Sequence, residues 1–532
     1  MKLTFSRPIG LLLLGLLMGC GSSSILLTPI ENIDNSPLKV QELTEGQKQS
    51  WGHLDLVKDT IPGMSVDKAY DEIIKGKKGQ SVIVAVIDSG IDIEHEDLND
   101  VVWTNENEIP NNGIDDDNNG YVDDIHGWNF LGEGFGEQLE YVRLLASKDT
   151  KNPRYAEAKE LRESEYGKFA SYKIQYSQIY QQLINADNVL IKHLGKELYT
   201  EEEVNKISST DPNVSQAVQF MQYLFSNGIE SVTAAKTEIG NDLRNIKDRV
   251  DYHLNLEHKG RVTGDDVNNF SDIGYGDGNT LPIVKTEAHG THVAGIIAAE
   301  RTNGIGINGV ANNVELMSLR TVPNGDEYDK DVALAIRYAV DNGAKVINGS
   351  FGKSFSPHSK WVQDAIKYAS KEDVLIVHAA GNDSNDIDIE PNFPSDNVNG
   401  VEVANNYISV GSLTSSYGSK IVSSFSNYGK RDVDIFAPGS DVYSTTPENE
   451  YGYKGGTSMA APAVAGLAAL IRSYYPKLSA AQVKQVILDS GIRLDIKVVV
   501  GGDNSDVRIF NALSKTGKIA NAYNALILAS KL

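Results

Sequence analysis

Apolar residues fall along this chain in two regimes. In the first, short unbroken runs rich in β-branched side chains alternate with amphipathic stretches. Ser81-Val82-Ile83-Val84-Ala85-Val86-Ile87 is such a run, the pattern of a strand buried on both faces of a parallel sheet. Strands are predicted again over 314–319, 345–348 and 374–379, with helices over 331–342 and 360–370 between them. Shorter strands follow around Ile408-Ser409-Val410 and Ile435-Phe436-Ala437-Pro438-Gly439. Met459 to Ile471 is apolar all round and reads as a buried helix, with Pro462 near its first turn, where proline is tolerated. A further helix is expected from Ala480 to Asp489. Strand–helix alternation of this kind implies a mostly parallel sheet with right-handed crossovers and helices on both faces.

The second regime occupies residues 131–280. Phe169, Tyr172, Tyr176, Ile179, Leu183, Ala186 and Leu190 recur at intervals of three and four, an amphipathic helical seam. Thr200 and Glu203 have the spacing of a capping box, and Leu243 to Leu256 gives a third helical piece. These residues read as a largely helical insertion packed on or beside an α/β body spanning 61–530, with the seam as packing surface.

The N-terminus adds a destination. Lys2 and Arg7 precede the apolar run Ile9 to Met18, too short for a transmembrane helix and the right length for a signal-peptide core. Leu17-Met18-Gly19-Cys20 follows and resembles a bacterial lipobox, with Met18 a less common residue there. Residues 1–19 are expected to be a signal peptide, Cys20 the lipidated first residue, and 20–60 an irregular polar tether to the membrane. Cys20 is the only cysteine, which excludes a disulfide within the chain. A net charge of −23 over 532 residues argues against nucleic acid as a partner.

Candidate chemistry sits where runs end. Asp88 closes the first strand in Asp88-Ser89-Gly90-Ile91-Asp92, and open α/β sheets gather their chemistry at such carboxyl ends. His289 opens the helix of His289-Gly290-Thr291-His292-Val293-Ala294-Gly295, in which His292, one turn on, reads as structural. Ser458 follows Gly455-Gly456-Thr457 at the start of the buried helix, where unpaired N–H groups favour developing negative charge. In Asn111 to Asp124, the order Asp115, Asp117, Asn119, Gly120 repeats the first half of a calcium loop. Position twelve is His126 rather than glutamate, so Asp123 or Asp124 would have to close the shell. The alternative is an acidic, solvated turn.

D-S-G-I-D (88–92), H-G-T-H-V-A-G (289–295), A-A-G-N (379–382) and G-T-S-M-A-A-P (456–462) resemble, in that order, the catalytic motifs of the subtilisin-like serine peptidases. The resemblance implies a three-layer α/β/α fold and a catalytic set of Asp88, His289, Ser458 and the oxyanion-binding Asn382. It implies that Ser350-Phe351-Gly352 is the edge on which a peptide adds as a strand, and that Ala379, Ala380 and Gly381 line one wall of the primary pocket. Small residues there suggest room for a large apolar side chain. The expected function is a serine endopeptidase of the cell envelope, acting on protein or peptide substrates, lipid-anchored and with structural calcium. The alternative is a catalytically silent member acting as a binding or assembly module.

Overall fold

The computed structural model describes residues 28–31, 33–34 and 42–532. Cys20 and the signal sequence lie outside them. Nine strands form one sheet: β1 Val82–Asp88, β2 Gly127–Asn129, β3 Val314–Arg320, β4 Val346–Gly349, β5 Leu375–Ala379, β6 Tyr407–Leu413, β7 Ile435–Pro438, β8 Ile492–Arg493 and β9 Lys518–Ile519. Their order is β8-β9-β7-β6-β5-β4-β1-β3-β2, and every pairing is parallel except β8 with β9.

The described residues include ten longer helices: α1 Glu140–Ser147, α2 Tyr155–Leu194, α3 Pro212–Ser226, α4 Val232–Asp248, α5 His289–Ala298, α6 Asp329–Asp341, α7 Ser359–Lys371, α8 Thr457–Tyr474, α9 Ala480–Ser490 and α10 Ala522–Ala529. Alternation along β1 shows why three layers form. Val84 and Val86 join a core with α5, α8, α9 and α10, while Ala85 and Ile87 join a second core with α6 and α7. Successive side chains of a strand point to opposite faces, so a strand apolar at every position needs cover on both. After β3 the chain passes over β1 to place β4 on its other side. The carboxyl ends of β1 and β4 therefore flank a topological switch point, where open α/β sheets leave a crevice.

Two expectations are corrected. The segment expected as an irregular tether reaches the main core at several of its described residues. Ile30, Ile33, Trp51 and Leu56 enter the main core, and Thr44 caps Glu45–Ser50 through a capping box. Scattered apolar residues carry no periodicity, so only tertiary contact reveals their partners. The helical seam also packs only in part. Leu183, Ala186 and Leu190 meet α3 and α4 in a separate core, but Tyr172 and Ile179 remain 38% and 37% exposed.

The insertion is fastened to the body by a small apolar cluster that includes Leu139, Val142, Leu254 and Phe355, with the Arg154 guanidinium 3.5 Å from the Phe355 ring centroid. Beneath it, buried Lys353 donates to Glu140 at 2.9 Å and lies 3.0 Å from Asp329. Burial alone would raise the Glu140 carboxyl, but Arg143 and Lys353 outweigh it and hold it down at about 2. No described helix is long and apolar enough to cross a membrane.

Candidate active site

Asp88 ends β1 and His289 begins α5, 201 positions later, yet His289 Nδ1 lies 2.7 Å from Asp88 Oδ1. An ionised carboxylate only accepts, so Nδ1 carries the hydrogen and Nε2 presents a lone pair to the cleft. Asp88 is 2% exposed and its imidazole partner 37%. Oδ1 also accepts from the Ser89 amide at 2.8 Å, while buried Oδ2 has no partner among the described residues. The two glycine motifs explain how the segments come so close. A Cβ on Gly290 would sit 2.2 Å from the Gly90 carbonyl oxygen, and Gly90 itself has φ +96°.

Beside this pair, fully buried Arg320 at the end of β3 donates to Glu287 at 2.7 Å and to the carbonyls of Gly132 and Gly134. It ties the loop preceding His289 to the entry of the insertion. Sequence reading missed both residues; an acid two positions before the histidine was the available signal.

Ser458 is the second residue of α8, so its N–H belongs to the first turn and has no intrahelical acceptor. Its Oγ donates to the Ser350 carbonyl at 3.1 Å, and no hydrogen bond joins it to His289 among the described residues. Because α8 starts at Thr457, Pro462 stands deeper than the first-turn placement expected and cannot donate to the carbonyl of Ser458. Ser350 Oγ supplies the missing donor at 2.9 Å. Asn382 Oδ1 accepts from the Thr457 amide at 2.9 Å and hydroxyl at 3.1 Å. The Asn382 side-chain amide is thereby oriented, with Nδ2 3.6 Å from a Cβ built on Gly456 and bonded to no described residue.

The Ser350-Phe351-Gly352 segment leaves the end of β4 along a cleft of about 590 Å³ that also contains Asp88 and His289, with Ser350 buried, Phe351 half-buried and Gly352 exposed. No described backbone group bonds the amide or carbonyl of Gly352, which leaves it open to strand addition. Ala379 and Ala380 line a neighbouring pocket, and the structure adds to it Asn392, which sequence reading lacked. Asn392 donates to the Ala380 carbonyl at 3.1 Å. Its amide lies 2.8 Å from a Cβ built on Gly352 and 3.1 Å from one on Gly381, so it stands between these glycines. A side chain entering there would meet this amide. Lys454, also missed, lines the cleft four positions before Ser458; burial lowers its pKa against the opposing pull of Asp88.

In the acidic loop, the structure gathers Asp115, Asp117 and Glu108, with ligand oxygens within 4.8 Å of one another. Asn119 donates its backbone amide to both aspartates at 3.0 Å. Asp123 accepts from the amides of Asn112 and Gly113, and buried Asp124 accepts from Tyr338, Asn119 and Asn105. Glu108, rather than either of these, approaches the first two ligands. An all-oxygen set of three carboxylates fits a hard cation such as calcium.

A Subtilase family profile matches residues 79–510. The chain is 43% identical over 186 residues to Thermophilic serine proteinase of Bacillus sp. (strain AK1), covering 35% of this chain and 42% of that protein. It is 41% identical over 186 residues to Thermitase of Thermoactinomyces vulgaris, covering 35% of this chain and 61% of the relative. The chain thus aligns with less than two thirds of either relative. Among solved structures, proteases from Pseudoalteromonas arctica PAMC 21717 match at TM-score 0.45 and 21% identity, over 91% of this chain and 97% of that one. With a profile match across most of its length, the chain belongs to the Subtilase family.

Proposed function

We propose that the chain is a serine endopeptidase that cleaves peptide bonds through an acyl-enzyme. The observation that carries this reading is the 2.7 Å contact of His289 with buried Asp88 in the cleft edged by Ser350-Phe351-Gly352. Rotation of the Ser458 side chain away from the Ser350 carbonyl brings Oγ toward His289 Nε2, which takes its proton as Oγ attacks the scissile carbonyl. Asp88 fixes the imidazole tautomer and stabilises the imidazolium. The Ser458 amide and Asn382 Nδ2 donate to the oxyanion. Collapse expels the amine with the proton from His289, and water repeats the sequence on the ester.

The lipobox-like Leu17-Met18-Gly19-Cys20 supports export and lipid anchoring in the cell envelope, and the oxygen set of Glu108, Asp115 and Asp117 supports a structural calcium ion. Labelling by an active-site-directed fluorophosphonate, compared between wild type and Ser458→Ala, tests the central claim. Labelling abolished by the substitution is expected. Folded wild-type protein that does not label would favour the silent binding module, for which the Ser458–Ser350 contact would be the resting arrangement.

A further inference from the structure

The insertion forms part of the catalytic cleft. Helix α4 is anchored to the body where Asn324 Nδ2 donates to Asp248 at 2.9 Å, and His253 Nε2 meets the Asn324 carbonyl at 3.1 Å. Asn324 belongs to the loop Val322–Gly325, which faces the cleft together with His289. From this anchor Asn241, Arg244, Asn245 and Asp248 line the same cleft as Ser350-Phe351-Gly352. Past Arg244 a second groove continues along α4, with Tyr180, Thr237, Gly240 and Lys247 on its walls.

Charge distinguishes this groove from the rest of the molecule. The chain carries −23, yet Arg244 and Lys247 are exposed and neither has a carboxylate within 4.0 Å among the described residues. Arg244 Nη2 donates only to Asn241 Oδ1 at 2.8 Å. Lys236, also on the groove, is paired with Asp187. The acids of α4 are turned elsewhere or engaged. Glu238 and Asp242 line neither the cleft nor the groove. Asp248, one turn from Arg244, is raised on balance by burial against the downward pull of that charge, and already accepts from Asn324. Glu287 is buried against Arg320, and Glu327 is buried and raised by desolvation.

We infer that the insertion selects substrates, with Arg244 and Lys247 binding acidic side chains of a polypeptide on the acyl side of the scissile bond. The direction follows from the edge Ser350-Phe351-Gly352, which holds the acyl side in the proposed reading and faces α4 across the cleft. The inference rests on that reading for catalysis, but its binding component does not. Two exposed cations without an ion pair among the described residues, on a strongly acidic protein, attract an acidic segment that the remaining surface repels.

The test compares paired peptides carrying Asp or Glu against Asn or Gln at successive positions before the cleaved bond. For wild type, kcat/KM should favour the acidic member. Arg244→Glu should lower the acidic-to-neutral ratio about tenfold, and Lys247→Glu should lower it by less. A purely structural role would depress both peptides together and leave the ratio unchanged, which would overturn the inference. So would a wild type that shows no preference. If wild type does not label with fluorophosphonate, the peptidase reading fails separately. Anisotropy of a fluorescent acidic peptide on Ser458→Ala protein then decides: salt-sensitive binding lost in Ser458→Ala/Arg244→Glu upholds the groove, and binding indifferent to Arg244 overturns it.

Discussion

Ser350 and Ser458 exchange two hydrogen bonds. Ser350 Oγ donates to the Ser458 carbonyl at 2.9 Å, and Ser458 Oγ donates to the Ser350 carbonyl at 3.1 Å. The first exists because Pro462 cannot donate to that carbonyl. The pair locks the start of α8 to the segment after β4, fixing the backbone of the proposed nucleophile and engaging its hydroxyl. Among the described residues, Ser350 has the one side chain that donates to the part-buried Ser458 carbonyl, and Ser350→Ala should cost about 1 kcal/mol or more. We expect a lower melting temperature and roughly tenfold lower kcat with KM little changed. Unaltered kcat and melting temperature would show that the exchange is incidental.

Asn382 is placed by its carbonyl oxygen on Thr457 so that its amide can serve the oxyanion. Asn382→Ala is expected to lower kcat by roughly 10²–10³, the magnitude known for such a donor in subtilisin itself, with KM nearly unchanged. A loss expressed in KM alone would assign Asn382 to ground-state binding.

Asn392 stands between Gly352 and Gly381 and lines a pocket with Ala379 and Ala380. Asn392→Gly should open this pocket and shift preference toward Phe or Leu before the cleaved bond, by about tenfold in kcat/KM relative to Ala. Profiling both proteins on one peptide series reads this directly. An unchanged profile would place the specificity pocket elsewhere.

Protonation of His253 should loosen the cleft loop in acid. Burial, reinforced by Arg249, holds its pKa down at about 4, whereas an unfolded histidine titrates near 6.5. Between these values the unfolded chain binds the extra proton and the folded chain does not, so stability is lost as pH falls from about 6.5 toward 4. His253→Gln removes the titrating ring, and its melting temperature should fall less steeply than wild type over that window. Parallel curves would show that His253 does not contribute.

Chelation tests the calcium proposal. EDTA should lower the melting temperature of wild type, calcium should restore it, and Glu108→Gln with Asp117→Asn should abolish the response. Insensitivity of wild type to EDTA would leave Asp115 and Asp117 as turn residues.

What the sequence determined by itself was local and periodic. The unbroken run Val82–Ile87 required a doubly covered strand, and alternating strands and helices required a mostly parallel sheet. Motifs ending such elements marked Asp88, His289 and Ser458, because chemistry placed at strand ends and helix starts leaves a short, readable signature. Thr200 and Glu203 likewise form the expected capping box. Relations across distance were decided by tertiary structure. The seam from Phe169 to Leu190 specified a helix but not that only its later half would find α3 and α4, since amphipathicity names a face and not its partner. Glu108 beside Asp115, Asn392 between two distant glycines and Arg320 beneath Glu287 depend on loops meeting in space, which no spacing encodes. Nor could composition show that an acidic chain turns Arg244 of its insertion toward the crevice between β1 and β4, with Lys247 on the groove beyond it. Crossover order and the packing of α4 against Asn324 set that arrangement, and both are properties of the folded chain.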